Sequence, residues 1–412
     1  MTADPQTEQA RAMFHKLLGL AAQVQASDIH LKPGKGAVFR INGQLLEVEG
    51  FPELNPQMII GFAKLMMNER QTEEFKRRHE IDLAYSVSGV GRFRANVFQQ
   101  RGTVAIAMRA IPFEIGTFEE LGLPPVMEKI AMERRGLVLV TGSTGSGKST
   151  TLAAIVDFIN RRRNAHIVTI EDPIEYLLRD KMSMIAQREV GFDTGTFLSA
   201  LRSAMRQDPD VILVGEMRDV ETITTALMAA ETGHLVLATL HTTDVMETIH
   251  RIISFFDAAQ SAQIRFQLAT VIKAIVCQRL IPRIDRQGRV PAVEVMIATK
   301  RVSELIKDPK RTHEITDVVA GGFASYGMQT FDMSLMKLCL EKRISYEDAL
   351  ENASNPGDFS LKMKGVSSTS DAEIAEFQRT AARPRPGAPA SGAAPDDTAP
   401  NKPNMVIERF SK

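Results

Sequence analysis

The chain of 412 residues is long enough for two or three domains with their own hydrophobic cores. Hydrophobic residues make up 44% and charged residues 24%, an ordinary composition for a soluble protein. Lysine plus arginine and aspartate plus glutamate both total 50, and this zero net charge argues against a protein built mainly to coat nucleic acid.

The cysteines and the apolar stretches indicate the compartment. Cys277 and Cys339 lie far apart and favour a reducing compartment without a disulfide framework or a zinc module. The N-terminus (MTADPQTEQA) lacks the pattern of a secretory signal, and no apolar stretch approaches the roughly 18 residues needed to span a bilayer. We therefore expect a cytoplasmic protein that does not span the membrane and reaches it only through partners.

Residues 1–111 are predicted to form a small α+β domain. An amphipathic helix opens it, with Phe14, Leu17, Leu18 and Ala21 on one face. A hairpin signal and three candidate strands predict an antiparallel sheet. The further predicted elements are the hairpin at Asn42-Gly43, a helix over residues 57–69, and strands over residues 80–87, 91–98 and 103–110.

The rest of the chain divides by composition. Residues 112–125 carry proline and glycine and are predicted to be a linker. Residues 126–300 alternate buried-strand runs with helical segments, which predicts an α/β core with a parallel sheet and crossover helices. Residues 301–364 are predicted to be helical, and residues 365–412 a mostly disordered tail rich in alanine, proline and glycine. The predicted core strands are residues 137–141, 166–171, 211–215 and 234–240.

The octapeptide Gly142-Ser-Thr-Gly-Ser-Gly-Lys-Ser149 fits the phosphate-binding loop pattern, and a strand and a helix flank it in the required order. The glycines let backbone N–H groups surround phosphate oxygens, and the following helix adds a positive N-terminus. Lys148 would reach the β and γ phosphates and Ser149 would hold Mg²⁺, so we expect ATP binding with Mg²⁺. The predicted nucleotide-binding residues are Gly142, Ser143, Thr144, Gly145, Ser146, Gly147, Lys148, Ser149 and Thr150.

Two carboxylates follow core strands, at the edge of a parallel sheet where a ligand crevice forms. Glu175 lies in the segment Glu171-Asp-Pro-Ile-Glu175 and is a candidate to orient or deprotonate the attacking water. Glu216 ends a hydrophobic strand in a Walker B arrangement, with Gly215 where many ATPases have aspartate. It would hold Mg²⁺ through water or polarise the nucleophile, and spacing alone does not separate its role from that of Glu175.

Two histidines bracket the last of these strands. His234 and His241 lie seven residues apart along a strand, so their side chains face opposite ways and do not form a zinc site. His241 falls at the strand's end beside the crevice, which suits a sensor of the γ-phosphate. For His234 a structural role is as good an interpretation.

Three segments together resemble the secretion-superfamily ATPases, which are hexameric motors of type II secretion and type IV pili. They are the acidic box at 171–175, the box at 209–219 ending in Gly-Glu-Met-Arg-Asp, and the His box at 232–244. Within that superfamily the chain most resembles the pilus retraction ATPases of the PilT and PilU type. Ser27-Asp-Ile-His-Leu31 is similar to their N-terminal signature and Gly327-Met-Gln-Thr-Phe-Asp332 to their C-terminal one.

The resemblance implies a PAS-like N-terminal domain, a RecA-like ATPase core and a ring of six subunits. It implies that Arg92, Arg94 and Arg109 of the N-terminal domain reach the phosphates of bound nucleotide, whereas without it they are simply a solvated strand face. It further implies a role in pilus retraction and twitching motility. The protein would then act at the pilus base, on the cytoplasmic face of the inner membrane, with an inner-membrane platform protein as partner.

Two alternatives stay open. Pilus assembly and type II secretion ATPases share the superfamily but often carry extra N-terminal domains and a tetracysteine zinc insertion. A nucleic-acid translocase would favour a basic channel with interleaved aromatic residues, yet the chain has no tryptophan, four tyrosines and no net charge. We therefore expect no nucleic-acid partner.

One segment separates the two retraction types. PilT-like chains carry Ala-Ile-Arg-Asn-Leu-Ile-Arg-Glu where this chain has Arg301-Val-Ser-Glu-Leu-Ile-Lys-Asp308. The apolar positions persist at helical spacing while the polar face changes, which predicts an unchanged fold with a changed partner contact. Closeness to PilU follows as a prediction: an accessory motor that works beside a PilT-like ATPase.

Overall fold

A computed structural model describes residues 5–41, 43–112 and 114–364, with the side chains of residues 5–7 left aside. The predicted tail, residues 365–412, lies outside these ranges. The chain forms two compact units that divide between residues 113 and 114, within the segment predicted as a linker.

The first unit packs helices against an antiparallel sheet, as predicted. Phe14, Leu17, Leu18 and Ala21 of the first helix are fully buried, because the apolar face of that helix covers the sheet's core. The sheet order is β3-β2-β1-β6-β5-β4. Its elements are α1 (Pro5–Gln23), β1 (Asp28–Leu31), β2 (Val38–Ile41), β3 (Gln44–Glu47), α2 (Pro56–Met66), α3 (Glu69–Arg78), β4 (Glu80–Val87), β5 (Gly91–Gln100) and β6 (Thr103–Ile111).

Two details of the first unit differ from the prediction or extend it. The helix expected over 57–69 ends at Met66, and α3 begins afresh at Glu69. Asn68 separates them because its extended backbone and its side chain, which accepts from the Gln71 amide, start a new helix with a capping box. Strands β2 and β3 form the expected hairpin, and Gly43 has a φ of +82°, while Asn42 lies outside the described residues.

The second unit contains a seven-stranded sheet with helices around it. The sheet order is β13-β12-β7-β11-β10-β8-β9. The elements that build the core are α4 (Val126–Ala131), β7 (Gly136–Thr141), α5 (Lys148–Asn160), β8 (His166–Glu171), β9 (Met184–Glu189), α6 (Phe197–Ala204), β10 (Val211–Val214), α7 (Val220–Glu231), β11 (Leu235–Leu240), α8 (Val245–Ser254), α9 (Ala258–Val271), β12 (Ile272–Pro282) and β13 (Arg289–Ile297).

Every neighbouring pair of strands in this sheet is parallel except β12 and β13, which are antiparallel. The α/β fold with a parallel sheet is thus confirmed, with one antiparallel edge strand that was not predicted. Strands β7, β10 and β11 are buried at every position, which explains their unbroken apolar sequence. Because β7, β8, β10 and β11 run the same way, their carboxyl ends share one edge of the sheet.

Short helices complete the unit, in agreement with the helical prediction for 301–364. Val302, Leu305 and Ile306 of the first of them are fully buried in the core, as their spacing predicted. No helix in the described ranges is long and apolar enough to cross a membrane. These elements are α10 (Lys300–Lys307), a 3-10 turn (Thr312–Glu314), α11 (Ile315–Ala320), α12 (Phe323–Tyr326), α13 (Phe331–Leu340), α14 (Tyr346–Asn352) and α15 (Pro356–Met363).

Candidate nucleotide-binding and catalytic site

The phosphate loop leaves β7 at Gly142 and enters α5 at Lys148. Gly142 has a φ of +144°, and a Cβ atom there would lie 2.4 Å from the Gln278 carbonyl oxygen and 2.5 Å from Ser146 Oγ. Only glycine fits such a close approach. Gly147, with a φ of +92°, is the residue from which α5 starts, so the helix N-terminus points its N–H groups into the loop.

The side chain of Lys148 turns back onto the phosphate loop. Its Nζ donates to the carbonyl oxygens of Gly142, at 2.8 Å, and Ser143, at 3.0 Å. Burial lowers the pKa of this ammonium group, while the charges of Glu216 and Glu175 act in the opposite direction. The cation therefore lies within electrostatic reach of both candidate carboxylates.

A cleft of about 390 Å³ opens beside the loop at the carboxyl edge of the sheet. It brings Glu175, Glu216 and His241 together with six of the nine predicted loop residues. Gly142, Ser143 and Ser146 are absent from its described lining. The six loop residues are Thr144, Gly145, Gly147, Lys148, Ser149 and Thr150.

Two side chains contact the Glu216 carboxylate. Arg218 Nη2 lies 2.7 Å from Glu216 Oε2, and His241 Nε2 lies 3.2 Å from Glu216 Oε1. Burial acts to raise the pKa of Glu216, but the Arg218 hydrogen bond and the charges of His241 and Arg218 outweigh it, so the pKa lies below its ordinary value. Glu216 therefore stays ionised.

The two glutamates of the acidic box have different surroundings. Glu171 accepts from Thr169 Oγ1 at 2.6 Å and from Gln187 Nε2 at 3.0 Å, and burial raises the pKa of its carboxyl group. Glu175 is exposed and lines the cleft. Of the two, Glu175 is the one open to solvent in the cleft.

The two histidines also have different surroundings. His234 Nδ1 lies 2.9 Å from the Ala229 carbonyl oxygen and 3.3 Å from Thr232 Oγ1, which supports a structural role. His241 lines the cleft and contacts Glu216. Nowhere in the described ranges do three or more His, Cys, Asp or Glu side chains gather as a metal cluster.

The cleft also contains residues for which no role was predicted from the sequence. Tyr176 OH lies 2.9 Å from Thr150 Oγ1, Arg218 is the partner of Glu216, and Arg289 lines the cleft from the start of β13. Tyr176 and Arg218 stand beside the predicted carboxylates in the sequence, which is the signal that could have found them. Arg289 belongs to a strand that was not predicted.

The three predicted arginines lie in the first unit, on β5 and β6. Arg94 and Arg109 are directly opposite each other in the strand register, and both side chains are exposed. Arg109 Nε donates to Asp28 Oδ1 at 2.9 Å. Burial of Asp28 acts to raise its pKa, but hydrogen bonds from Ser27 and Arg109 outweigh it and hold the pKa below its ordinary value. Arg92, two residues before Arg94, is half-buried on the same face.

Residues 5–320 match the family model described as type II/IV secretion system protein. The chain belongs to this family. Two members from Pseudomonas aeruginosa are similar over nearly their whole length. The type IV pilus retraction ATPase PilT is 44% identical over 344 residues, which cover 84% of this chain and 99% of PilT. The type IV pilus ATPase PilU is 41% identical over 360 residues, covering 87% of this chain and 93% of PilU.

The fold agrees with that of this family. A crystal structure of the pilus retraction motor PilT with bound ADP superimposes with a TM-score of 0.76 at 44% identity, covering 83% of this chain and 97% of PilT. The chain is therefore an ATPase with the RecA-like core and the preceding α+β domain that its motifs indicated. The resemblance to the PilT and PilU type is confirmed. Because the two identities do not favour PilU, closeness to PilU stays a prediction.

Proposed function

We propose that the protein is a hexameric motor whose ATP hydrolysis drives type IV pilus retraction and twitching motility. The observation that carries this is the 44% identity to PilT across 99% of that protein, together with the shared fold. Assembly and type II secretion motors of the same family are the alternative. The motor would act in the cytoplasm at the pilus base, against an inner-membrane platform protein.

Different residues of the cleft would bind the phosphates and the Mg²⁺ of ATP. The loop N–H groups and the N-terminus of α5 would surround the phosphates, and Lys148 would leave the Gly142 and Ser143 carbonyls to contact them. The Ser149 hydroxyl and the Glu216 carboxylate line the same cleft and are oxygen donors of the kind Mg²⁺ prefers. Bound there, Mg²⁺ would offset the negative charge of the phosphates.

The surroundings of the two carboxylates favour different roles in hydrolysis. Glu216 is paired with Arg218 and His241 and its pKa is lowered, so it is a poor proton acceptor and suits the metal side of the site. Glu175 is exposed in the cleft and is assigned to orient or deprotonate the attacking water. His241, in contact with Glu216, would sense the γ-phosphate through that carboxylate.

The arginines of the first unit complete the proposed machinery. Arg94 and Arg109 present neighbouring guanidinium groups on one sheet face, and Arg92 lies on the same face. Guanidinium groups match phosphate oxygens in geometry and charge. We assign all three to the nucleotide within the assembled ring, where they would stabilise charge during hydrolysis.

A deletion strain tests the direction of the motor. Loss of the gene should give hyperpiliated cells without surface twitching, and the wild-type gene should restore motility. Lys148→Ala should fail to restore it although the protein accumulates normally, because the side chain touches the loop rather than the core. Bald cells would instead assign the protein to pilus assembly, and normal motility with Lys148→Ala would separate the motor from ATP hydrolysis.

The finer proposal is an accessory, PilU-like role beside a PilT-like ATPase. Support comes from α10, whose apolar residues are buried while Arg301, Ser303 and Glu304 on its other side are exposed or half-buried. Arg301 Nη2 lies 2.7 Å from Glu314 Oε2, so the changed face carries an ordered charge pair. Deleting the PilT-like gene while keeping this one should abolish retraction, and normal retraction in that strain would make this protein the primary motor.

A further inference from the structure

A buried glutamine lies beneath the phosphate loop, close to its first and last glycines. Gln278, on β12, is 2% exposed. Its carbonyl oxygen approaches Gly142 so closely that a Cβ atom there would lie 2.4 Å away. Its side-chain Nε2 lies 3.9 Å from the corresponding Cβ position at Gly147. One residue thus supports the loop from its first glycine to its last.

The strand register explains this placement. β12 runs parallel to β7, and Cys277 is opposite Thr141, the last residue before the loop. Gln278 is the next residue along β12, so it comes beside the loop itself. In the part of the chain that the structure describes, Gln278 does not line the cleft. Its side chain would therefore act on the loop rather than on the nucleotide.

Two buried polar atoms beneath the loop are left without a partner in the described part of the chain. One is Gln278 Oε1, which can only accept a hydrogen bond, and the other is Ser146 Oγ, which can donate one. Ser146 is 3% exposed, and its Oγ lies on the same side of Gly142 as the Gln278 carbonyl, since a Cβ atom at Gly142 would lie 2.5 Å from it. Buried polar atoms rarely stay unpaired in folded proteins.

Phosphate binding would require a second arrangement of the loop. Lys148 here occupies the Gly142 and Ser143 carbonyls, and it must release them to reach phosphate oxygens. That release would free the Gly142 and Ser143 carbonyls and so remove one restraint on the loop that contains Ser146. A hydrogen bond from the Ser146 hydroxyl to Gln278 Oε1 would then satisfy both atoms at once.

We propose that Gln278 is a positioning residue of the ATPase, and that its side chain accepts a hydrogen bond from Ser146 when the phosphate loop closes on nucleotide. The bond stabilises the loop conformation that binds phosphate without touching the substrate. Its loss should therefore weaken binding of the ground state and the transition state equally, which raises KM for ATP and leaves kcat nearly unchanged. The inference concerns ATP hydrolysis and does not depend on the proposed role in pilus retraction.

A double-mutant cycle on the full-length protein tests the pairing, with KM and kcat measured by phosphate release. Gln278→Met keeps the length of the side chain without its polar atoms, and Ser146→Ala removes the hydroxyl. Each should raise KM for ATP by about tenfold, and the double variant by about the same factor, because both changes remove one interaction. Effects that multiply, an unchanged KM, or a loss confined to kcat would each overturn the proposal.

The control separates positioning from packing. Gln329 is 5% exposed, and its Nε2 donates to the Val293 carbonyl at 2.7 Å, away from the cleft. Gln329→Met should lower the melting temperature and leave KM for ATP unchanged. If Gln278→Met does not fold, Ser146→Ala alone decides through KM and through the affinity for ADP, and wild-type values for both would overturn the proposal.

Discussion

Within the cleft, Glu216 and Glu175 differ most in what surrounds them. Glu216 has a guanidinium group at 2.7 Å and an imidazole at 3.2 Å, whereas Glu175 is exposed on a loop after β8. A carboxylate held by a guanidinium group and an imidazole is fixed in position, which suits a group that organises the site. A carboxylate open to solvent can instead exchange a proton with water.

Glutamine substitutions should separate catalysis from binding at these positions. Glu175→Gln and Glu216→Gln keep the side-chain shape and remove the charge, so each should lower turnover by about 10²–10⁴-fold while ATP affinity is retained. Turnover and equilibrium binding of ATP are the measurements. If either substitution abolished ATP binding as well, that residue would be assigned to positioning the nucleotide.

A third glutamate, outside the cleft, is predicted to govern how stability depends on pH. Glu294, on β13, accepts from the Val245 amide at 2.9 Å, at the start of α8. Burial raises its pKa to about 7; the charge of Asp244 acts in the same direction, and the Val245 amide and Arg279 oppose the shift. Folding therefore favours the protonated form of this side chain.

The sign of the effect follows from that raised pKa. Relative to Glu294→Gln, the wild-type protein should have its full share of stability below about pH 4.5 and lose about 3 kcal/mol as the pH rises to 7. The measurement is the difference in free energy of unfolding between the two proteins across this range. A difference that does not change with pH would contradict a buried, protonated Glu294.

At the scale of single elements, α10 has a buried apolar face like that of the PilT-like segment and a polar face that differs from it. Thr299 caps it by accepting from the Val302 amide at 3.2 Å, and Val302, Leu305 and Ile306 are all fully buried. Arg301, on the other side, pairs with Glu314. The packed apolar residues and the Arg301–Glu314 pair therefore lie on different faces of the same helix.

Two substitutions in α10 should have opposite consequences. Leu305→Ala leaves a cavity in the core and should lower the free energy of unfolding by about 2–5 kcal/mol. Arg301→Ala should change stability and ATP turnover little but impair retraction in cells. Chemical denaturation and a twitching assay would check this. Full motility with Arg301→Ala would mean that this side chain does not contact a partner.

Elements with distinctive burial could be predicted from the sequence, and others could not. β7, β10 and β11 are buried on both faces, so their apolar runs stand out. β12 follows α9 directly at Ile272, with no glycine or proline between them, so no turn residue in the sequence marks the change from helix to strand. α3 has no buried residue in its described length and therefore shows no apolar stripe.

Some residues of the candidate site could likewise be predicted from the sequence, and others could not. The phosphate loop is contiguous in sequence, so its residues could be proposed from spacing alone. The contact of Glu216 with His241 depends on β10 and β11 being neighbours in the sheet, and Arg289 enters the cleft only because β13 pairs with β12. Gln278 gave no signal in the sequence, because its relation to the loop comes from strand register.

At the scale of the whole molecule, the division into two units gives the proposed ring a specific kinetic signature. The cleft belongs to the second unit, and Arg92, Arg94 and Arg109 belong to the first. If the arginines act on nucleotide only within a hexamer, specific activity should rise cooperatively with protein concentration. Equal specific activity in a proven monomer would contradict this.

A matched pair of variants sharpens that experiment. Arg94→Ala should lower the activity of the assembled protein by at least about tenfold, since an arginine acting on transferring phosphate can be worth about 10³–10⁵ in rate. Arg78→Ala is the control, because Arg78 is an exposed arginine of the same unit that pairs with Glu74 on α3. Equal losses in both variants would point to a general charge effect.

The burial of Cys277 gives this motor an internal chemical reporter. Its thiol is fully buried opposite Thr141, and burial raises its pKa well above the ordinary value, so a thiol reagent reacts only when the structure around it opens locally. The rate of alkylation therefore measures how often the structure opens locally behind the phosphate loop. ADP should slow the labelling of Cys277 and leave that of Cys339, which is partly exposed, unchanged. Mass spectrometry of a labelling time course would then follow nucleotide binding without any engineered probe.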